Sequence, residues 1–98
     1  MSFADFVRED QRLIILRILS KLPGYTSSPS IIFEGLTRHS YNPSSLQIKE
    51  DLRWLEDRGL VSIEDDGTIL VARLTERGAE VVADRLTVIG VRRTGPGD

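Results

Sequence analysis

The sequence predicts an α+β fold, mainly helical, in which three helices are followed by a two-stranded β-hairpin and a closing helix. Residues 5–22 contain no Gly or Pro and place Phe6, Leu13, Leu16, Ile18, Leu19 and Leu22 near helical spacing. Beyond Pro23-Gly24, two shorter apolar patterns of helical period are separated by His39-Ser40-Tyr41-Asn42-Pro43. After Gly59 the period changes, and two runs rich in β-branched residues flank Asp65-Asp66-Gly67.

Each element carries its own signals. In the first helix, Ile14 and Ile15 widen the apolar stripe beyond what a one-sided surface helix requires. Periodicity leaves two uses of that surplus open: docking a second subunit, or burial under the chain's own helices. Tyr25-Thr26-Ser27-Ser28-Pro29 reads as turn, with Ser28 and Pro29 suited to the N-cap and first helical position of a short helix that points Ile32, Phe33 and Leu36 inward. The third helix, from Ser44 to Arg58, carries Leu46, Ile48, Leu52 and Leu55. Ser44 and Gln47 have the spacing of a capping box, with Asn42 before Pro43 as a competing cap, and Gly59 stands where a left-handed C-cap belongs. Leu60–Glu64 and Thr68–Leu74 form the hairpin, and Thr75 caps a final helix through Leu86, in spite of Gly78. Residues 1–87 are read as one domain and 88–98 as a flexible tail.

Composition narrows the class. A chain of 98 residues, 40% apolar and 29% charged, has room for one core and the balance of a soluble globular protein. It has no cysteine, which removes disulfides and thiolate metal sites and fits a reducing compartment. Its opening residues lack a basic stretch followed by an apolar run, and no segment has the length of apolar residues that spans a bilayer, so a cytoplasmic protein with no membrane partner is expected. The formal charge of −2 weighs mildly against nucleic-acid binding, although the distribution of charge matters more than its sum.

The order of elements then meets a family pattern. The run Ser44-Ser45-Leu46-Gln47-Ile48-Lys49-Glu50-Asp51-Leu52-Arg53-Trp54-Leu55-Glu56-Asp57-Arg58-Gly59-Leu60-Val61 resembles the recognition helix and first wing strand of winged helix-turn-helix transcriptional regulators. Leu74-Thr75-Glu76-Arg77-Gly78 looks like the start of their last helix. Within that superfamily the chain is most similar to small ArsR-like proteins of Mu-like bacteriophages and prophages. The similarity lies in the opening Met1-Ser2-Phe3-Ala4-Asp5-Phe6, the central Asp51-Leu52-Arg53-Trp54-Leu55-Glu56 and the closing Arg93-Thr94-Gly95-Pro96-Gly97. The resemblance implies a DNA-binding regulator, and a homodimer through helices 5–22 and 75–86 is the expected assembly.

An α-helix fits the major groove of B-form DNA, where residues near its N-terminus reach base edges. That makes Ser44, Ser45, Gln47, Lys49 and Arg53 the candidate DNA-binding residues, with Gln47 suited to adenine and Arg53 to guanine or phosphate. The bland assignment for the same residues is a solvated helix face with a cap. Glu50, in the middle of that surface, and Asp65 and Asp66, at the wing tip, would be repelled by phosphates. They favour the alternative, a protein-interaction adaptor that keeps the fold without strong DNA binding. Arg92-Arg93 has the character of a flexible minor-groove arm or of an inert end. Trp54 is assigned to packing against the hairpin or first helix. His39 stands alone, so no metal site is expected, and neither is a catalytic residue or cofactor: nothing pairs carboxylates or cradles phosphate.

Overall fold

The computed structural model describes residues 2–93. Four helices, α1 (Phe3–Ser20), α2 (Pro29–Arg38), α3 (Ser45–Asp57) and α4 (Glu76–Val82), surround a three-stranded antiparallel sheet of β1 (Thr26–Ser27), β2 (Val61–Asp65) and β3 (Leu70–Leu74), ordered β1-β3-β2. The chain is therefore α+β and mainly helical, with one strand more than the sequence predicts. Thr26 and Ser27 were expected as turn, but they pair with Arg73 and Ala72 along the outer edge of β3. A two-residue polar strand has no periodicity of its own, and only the unsatisfied edge of β3 makes it one. The hairpin register runs from Val61 opposite Leu74 to Asp65 opposite Leu70.

Helix α1 starts two residues before the expected position because Ser2 and Asp5 form a reciprocal cap. Ser2 Oγ accepts from Asp5 N at 3.1 Å, and Asp5 Oδ2 accepts from Ser2 N at 3.4 Å. The surplus width of its stripe is consumed inside the chain, since Ile14 is 3% and Ile15 0% exposed. Around α1 pack Ile32 and Leu36 of α2, Ile48, Leu52 and Leu55 of α3, and Leu60, Val61, Ala72, Leu74 and Val81. Among the described residues, no helix is long and apolar enough to cross a membrane.

Two Schellman closures end α3 and α4. Leu60 N donates to Leu55 O at 3.0 Å and Gly59 N to Glu56 O at 2.9 Å, with Gly59 at φ +74° as the sequence led one to expect. In α4 the same pair of bonds runs from Arg85 N to Glu80 O and from Asp84 N to Val81 O, with Asp84 itself at φ +60°. The helix thus stops at Val82 and not near Leu86, on a left-handed Asp that carries no glycine signal.

The C-terminal segment corrects the expected domain boundary. Residues 88–93 lie against α1 and α3: Val91 is buried, Arg92 N donates to Glu9 O at 3.1 Å, and Arg12 Nη1 donates to Gly90 O at 2.9 Å. Arg92 Nε meets Asp10 Oδ1 at 2.6 Å and Arg93 Nε meets Asp84 Oδ1 at 3.2 Å, so both arginines, read from sequence as a flexible arm or an inert end, are engaged within the chain. Asp10 also accepts from Tyr41 Oη at 2.6 Å, and burial together with this carboxylate pushes the Tyr41 phenol up to about 12. Residues 94–98 of the expected tail lie outside the described residues.

Gly90 makes this docking possible. Its φ is +100°, and a Cβ there would run into the Trp54 ring, 2.6 Å from Cη2. Gly90→Ala is expected to cost about 1–3 kcal/mol in urea unfolding and to shift Trp54 fluorescence. A variant with unaltered stability and emission would mean that the segment does not rest on Trp54.

Candidate functional site

Helix α3 presents two unlike faces. Ile48, Asp51, Leu52 and Leu55 are buried, whereas Ser44, Ser45, Leu46, Lys49, Glu50 and Arg53 are exposed. The buried face is anchored by charge as well as by packing. Asp51 Oδ1 accepts from Arg8 Nη2 at 2.9 Å and from Arg12 Nε at 3.2 Å. One turn on, the Trp54 ring lies between two guanidiniums, Arg12 at 4.0 Å and Arg58 at 3.6 Å from its centroid. Trp54 is therefore a packing residue, as its sequence context implied, and its partners are cations and Gly90.

The five sequence-predicted site residues do not act alike. Ser44 is the N-cap, its Oγ accepting from Gln47 N at 3.1 Å, so the hydroxyl is engaged in starting the helix. Gln47 is half-buried beside it, and Ser45 is exposed in the first turn. Lys49 and Arg53 share one recess of about 360 Å³ between α3 and the hairpin tip, bounded also by Pro29, Asp65 and Thr68. Arg53 is 50% exposed and held through both terminal nitrogens, with Nη1 on Glu56 Oε1 at 3.0 Å and Nη2 on Asp65 Oδ2 at 3.3 Å. An exposed pair of this kind contributes at most about 1 kcal/mol and yields readily to a competing anion.

The acids of the hairpin tip build the turn. Asp65 Oδ1 accepts from Gly67 N at 2.9 Å, and Asp66 Oδ1 accepts from Thr68 N at 2.9 Å and Ile69 N at 2.8 Å. Those backbone donors, Ile69 first, hold the Asp66 carboxyl below the usual carboxylate range. The sequence shows an acidic turn whose charges would repel phosphate, but not the bond that Arg53 donates to Asp65 across the recess.

Sequence reasoning also missed an apolar feature. Leu46, counted in the apolar pattern of α3, is 66% exposed, and Ile69 and Ile31 are 60% and 49% exposed. Ile31 and Ile69 line an open groove of about 760 Å³ between the start of α2, the start of α3 and the hairpin tip, with Phe33, Ile48 and Leu70 also in its lining. Its signal was present in the sequence as apolar residues out of step with the helical stripe.

His39 closes the end of α2, with Nδ1 3.0 Å from Gly35 O. No family model matches the chain. Two full-length relatives do. A protein of Haemophilus influenzae strain Rd, described as uncharacterized, is 39% identical over 98 residues, covering 98% of this chain and 93% of its own length. The uncharacterized protein gp26 of Escherichia phage Mu is 34% identical over 92 residues, covering 94% of this chain and 95% of its own. The chain belongs to the gp26 family. For this gp26-family chain, the recess holding Lys49 and Arg53 and the neighbouring apolar groove meet at Pro29, Thr68 and Leu70, which line both.

Proposed function

We propose that this gp26-family chain is a winged helix-turn-helix module of ArsR-like type. It binds double-stranded DNA through the first turns of α3 and acts as a transcriptional regulator of phage or prophage type, in the cytoplasm and without catalysis. The observation that carries this reading is the placement of Lys49 and Arg53 in one recess beside the hairpin, on the outer face of a helix whose inner face is locked into the core. Lys49 is then a phosphate contact and Arg53 a base or phosphate contact, with Ser45 at the helix start. The acidic wing makes no phosphate grip, so affinity rests on α3.

In the proposed homodimer, Ile14 and Ile15 contribute no interface because they are buried in each copy. The large apolar side chains that α1 leaves exposed are the stacked pair Phe3 and Phe6, with ring centroids 6.4 Å apart. Sedimentation showing a strict monomer would remove the dimer.

The DNA reading is tested by selection from random duplexes, followed by affinity against salt. Lys49→Ala is expected to weaken all sequences alike and lower the salt slope by about 1, and Arg53→Ala to cost about 1–3 kcal/mol at a selected site. Asp65→Asn, which removes a carboxylate and one of the two anionic partners of Arg53, is expected to tighten binding. Absence of DNA binding at low salt, or an Asp65→Asn variant that binds more weakly, rejects the reading.

A second reading, a protein-interaction adaptor, is favoured by one observation. The start of α3 is bordered by Ile31, Leu46 and Ile69, aliphatic surface that a polyanion leaves uncovered.

A further inference from the structure

We infer that the groove between α2, α3 and the hairpin tip receives an amphipathic helix of a partner protein whose apolar stripe is flanked by Lys and Arg. The inference deepens the adaptor reading and does not depend on DNA binding. The groove, about 760 Å³, is in the size range of sites that take several apolar side chains. Ile31 of α2 and Ile69 of the hairpin line it together with Phe33, Ile48 and Leu70. That suits a helix presenting anchors at i, i+3 or i+4, and i+7. Leu46, following the groove-lining Ser45 on α3, adds apolar surface beside it.

Charge decides the partner's sign. Neither Lys nor Arg lines the groove, and Glu34 does. The Asp66 carboxylate accepts from the backbone N–H of the groove-lining Ile69 at 2.8 Å. Glu50 lies one turn beyond Leu46 on the same side of α3. Of the two cations in the adjoining recess, Arg53 is already matched by Glu56 and Asp65, which leaves Lys49 against Glu34, Asp66 and Glu50. An apolar cleft edged by carboxylates favours cationic flanks and steers them in. The same rule counts against a second copy of this chain. Its exposed aromatic pair, Phe3 and Phe6, is accompanied by Asp5 and Glu9, while its Arg8 is bound to Asp51.

The test uses the full chain and two libraries of helical peptides with the same apolar stripe, one with Lys/Arg flanks and one with Asp/Glu flanks. The basic library is expected to yield binders. Ile31→Ser and Ile69→Ser, both at exposed positions, are expected to weaken them at least about tenfold with unchanged circular dichroism and melting temperature. Glu34→Lys is expected to weaken basic peptides and improve acidic ones. Binders from the acidic library alone, or binders indifferent to Ile31→Ser and Ile69→Ser, overturn the inference while leaving an adaptor possible. No binder from either library overturns both. Self-association in sedimentation that Ile69→Ser abolishes assigns the groove to a second copy and overturns the inference.

Discussion

Replacing Gly78 with alanine is expected to destabilise this domain by about 3 kcal/mol, at the upper end of overpacking costs, and to lower its melting temperature by roughly 12–20 °C. In an exposed helix the same change stabilises by about 1 kcal/mol, because alanine is the better helix former. The sign reverses here because a Cβ at Gly78 would run into the Leu60 carbonyl oxygen and come within 2.6 Å of Leu74 Cδ1. The Leu60 carbonyl has no freedom to move away. It accepts from Thr75 N at 3.1 Å, while Thr75 Oγ1 donates to Gly59 O at 2.6 Å and itself caps α4 by accepting from Gly78 N at 3.0 Å. The end of α3 and the start of α4 are thus joined through one set of backbone groups, and only glycine leaves room between them. Equilibrium urea unfolding measures the effect. A variant as stable as the parent would show that this junction is looser than its hydrogen bonds imply.

The second large effect is expected at Asp51. Asp51→Ala should cost about 3 kcal/mol, because removing one partner of a buried ionic group strands the others. Asp51 is 2% exposed and holds Arg8 and Arg12, so its loss leaves two unmatched guanidiniums one turn apart on the same face of α1. The consequence extends beyond α3. Arg12 also stacks on Trp54 and donates to Gly90 O, so amide exchange should rise in residues 88–93 as well as in the first turns of α1. Combining Asp51→Ala with Arg12→Leu should cost less than the sum of the two single changes, since fewer cations are left unmatched. Additive penalties would mean that Asp51 and Arg12 do not act as a pair.

Much of the site's framework was legible because it rests on local chemistry. The Ser44 cap, the left-handed Gly59, the buried Ile48, Leu52 and Leu55, and the acidic turn at the hairpin tip each follow from residues within a few positions of one another. What those residues do at the surface was less legible. Arg53 was expected to face outward free, and it is tied to Asp65, twelve positions away on another element. Leu46 was expected in the apolar pattern of α3, yet it lies on the outer side beside Ser45. A periodic pattern tolerates one residue out of phase, and only the neighbouring Ile31 and Ile69 turn that residue into part of a surface.

The sequence by itself determined the helical and hairpin segments of the described chain, because helical period, capping residues and β-branched alternation act over one or two turns. Tertiary structure decided three things. Thr26–Ser27 became a strand because β3 offered an open edge. Ile14 and Ile15 were buried by the chain's own elements, where their spacing allowed a subunit interface equally well. Residues 88–93 were drawn onto α1 by Arg92 and Asp10, which lie 82 positions apart, and onto Trp54 by a glycine that leaves room for the ring. In each case the deciding partner is distant along the chain. A pattern read over neighbouring residues has no term for a hydrogen bond, an ion pair or a steric fit that exists only after the chain has closed on itself.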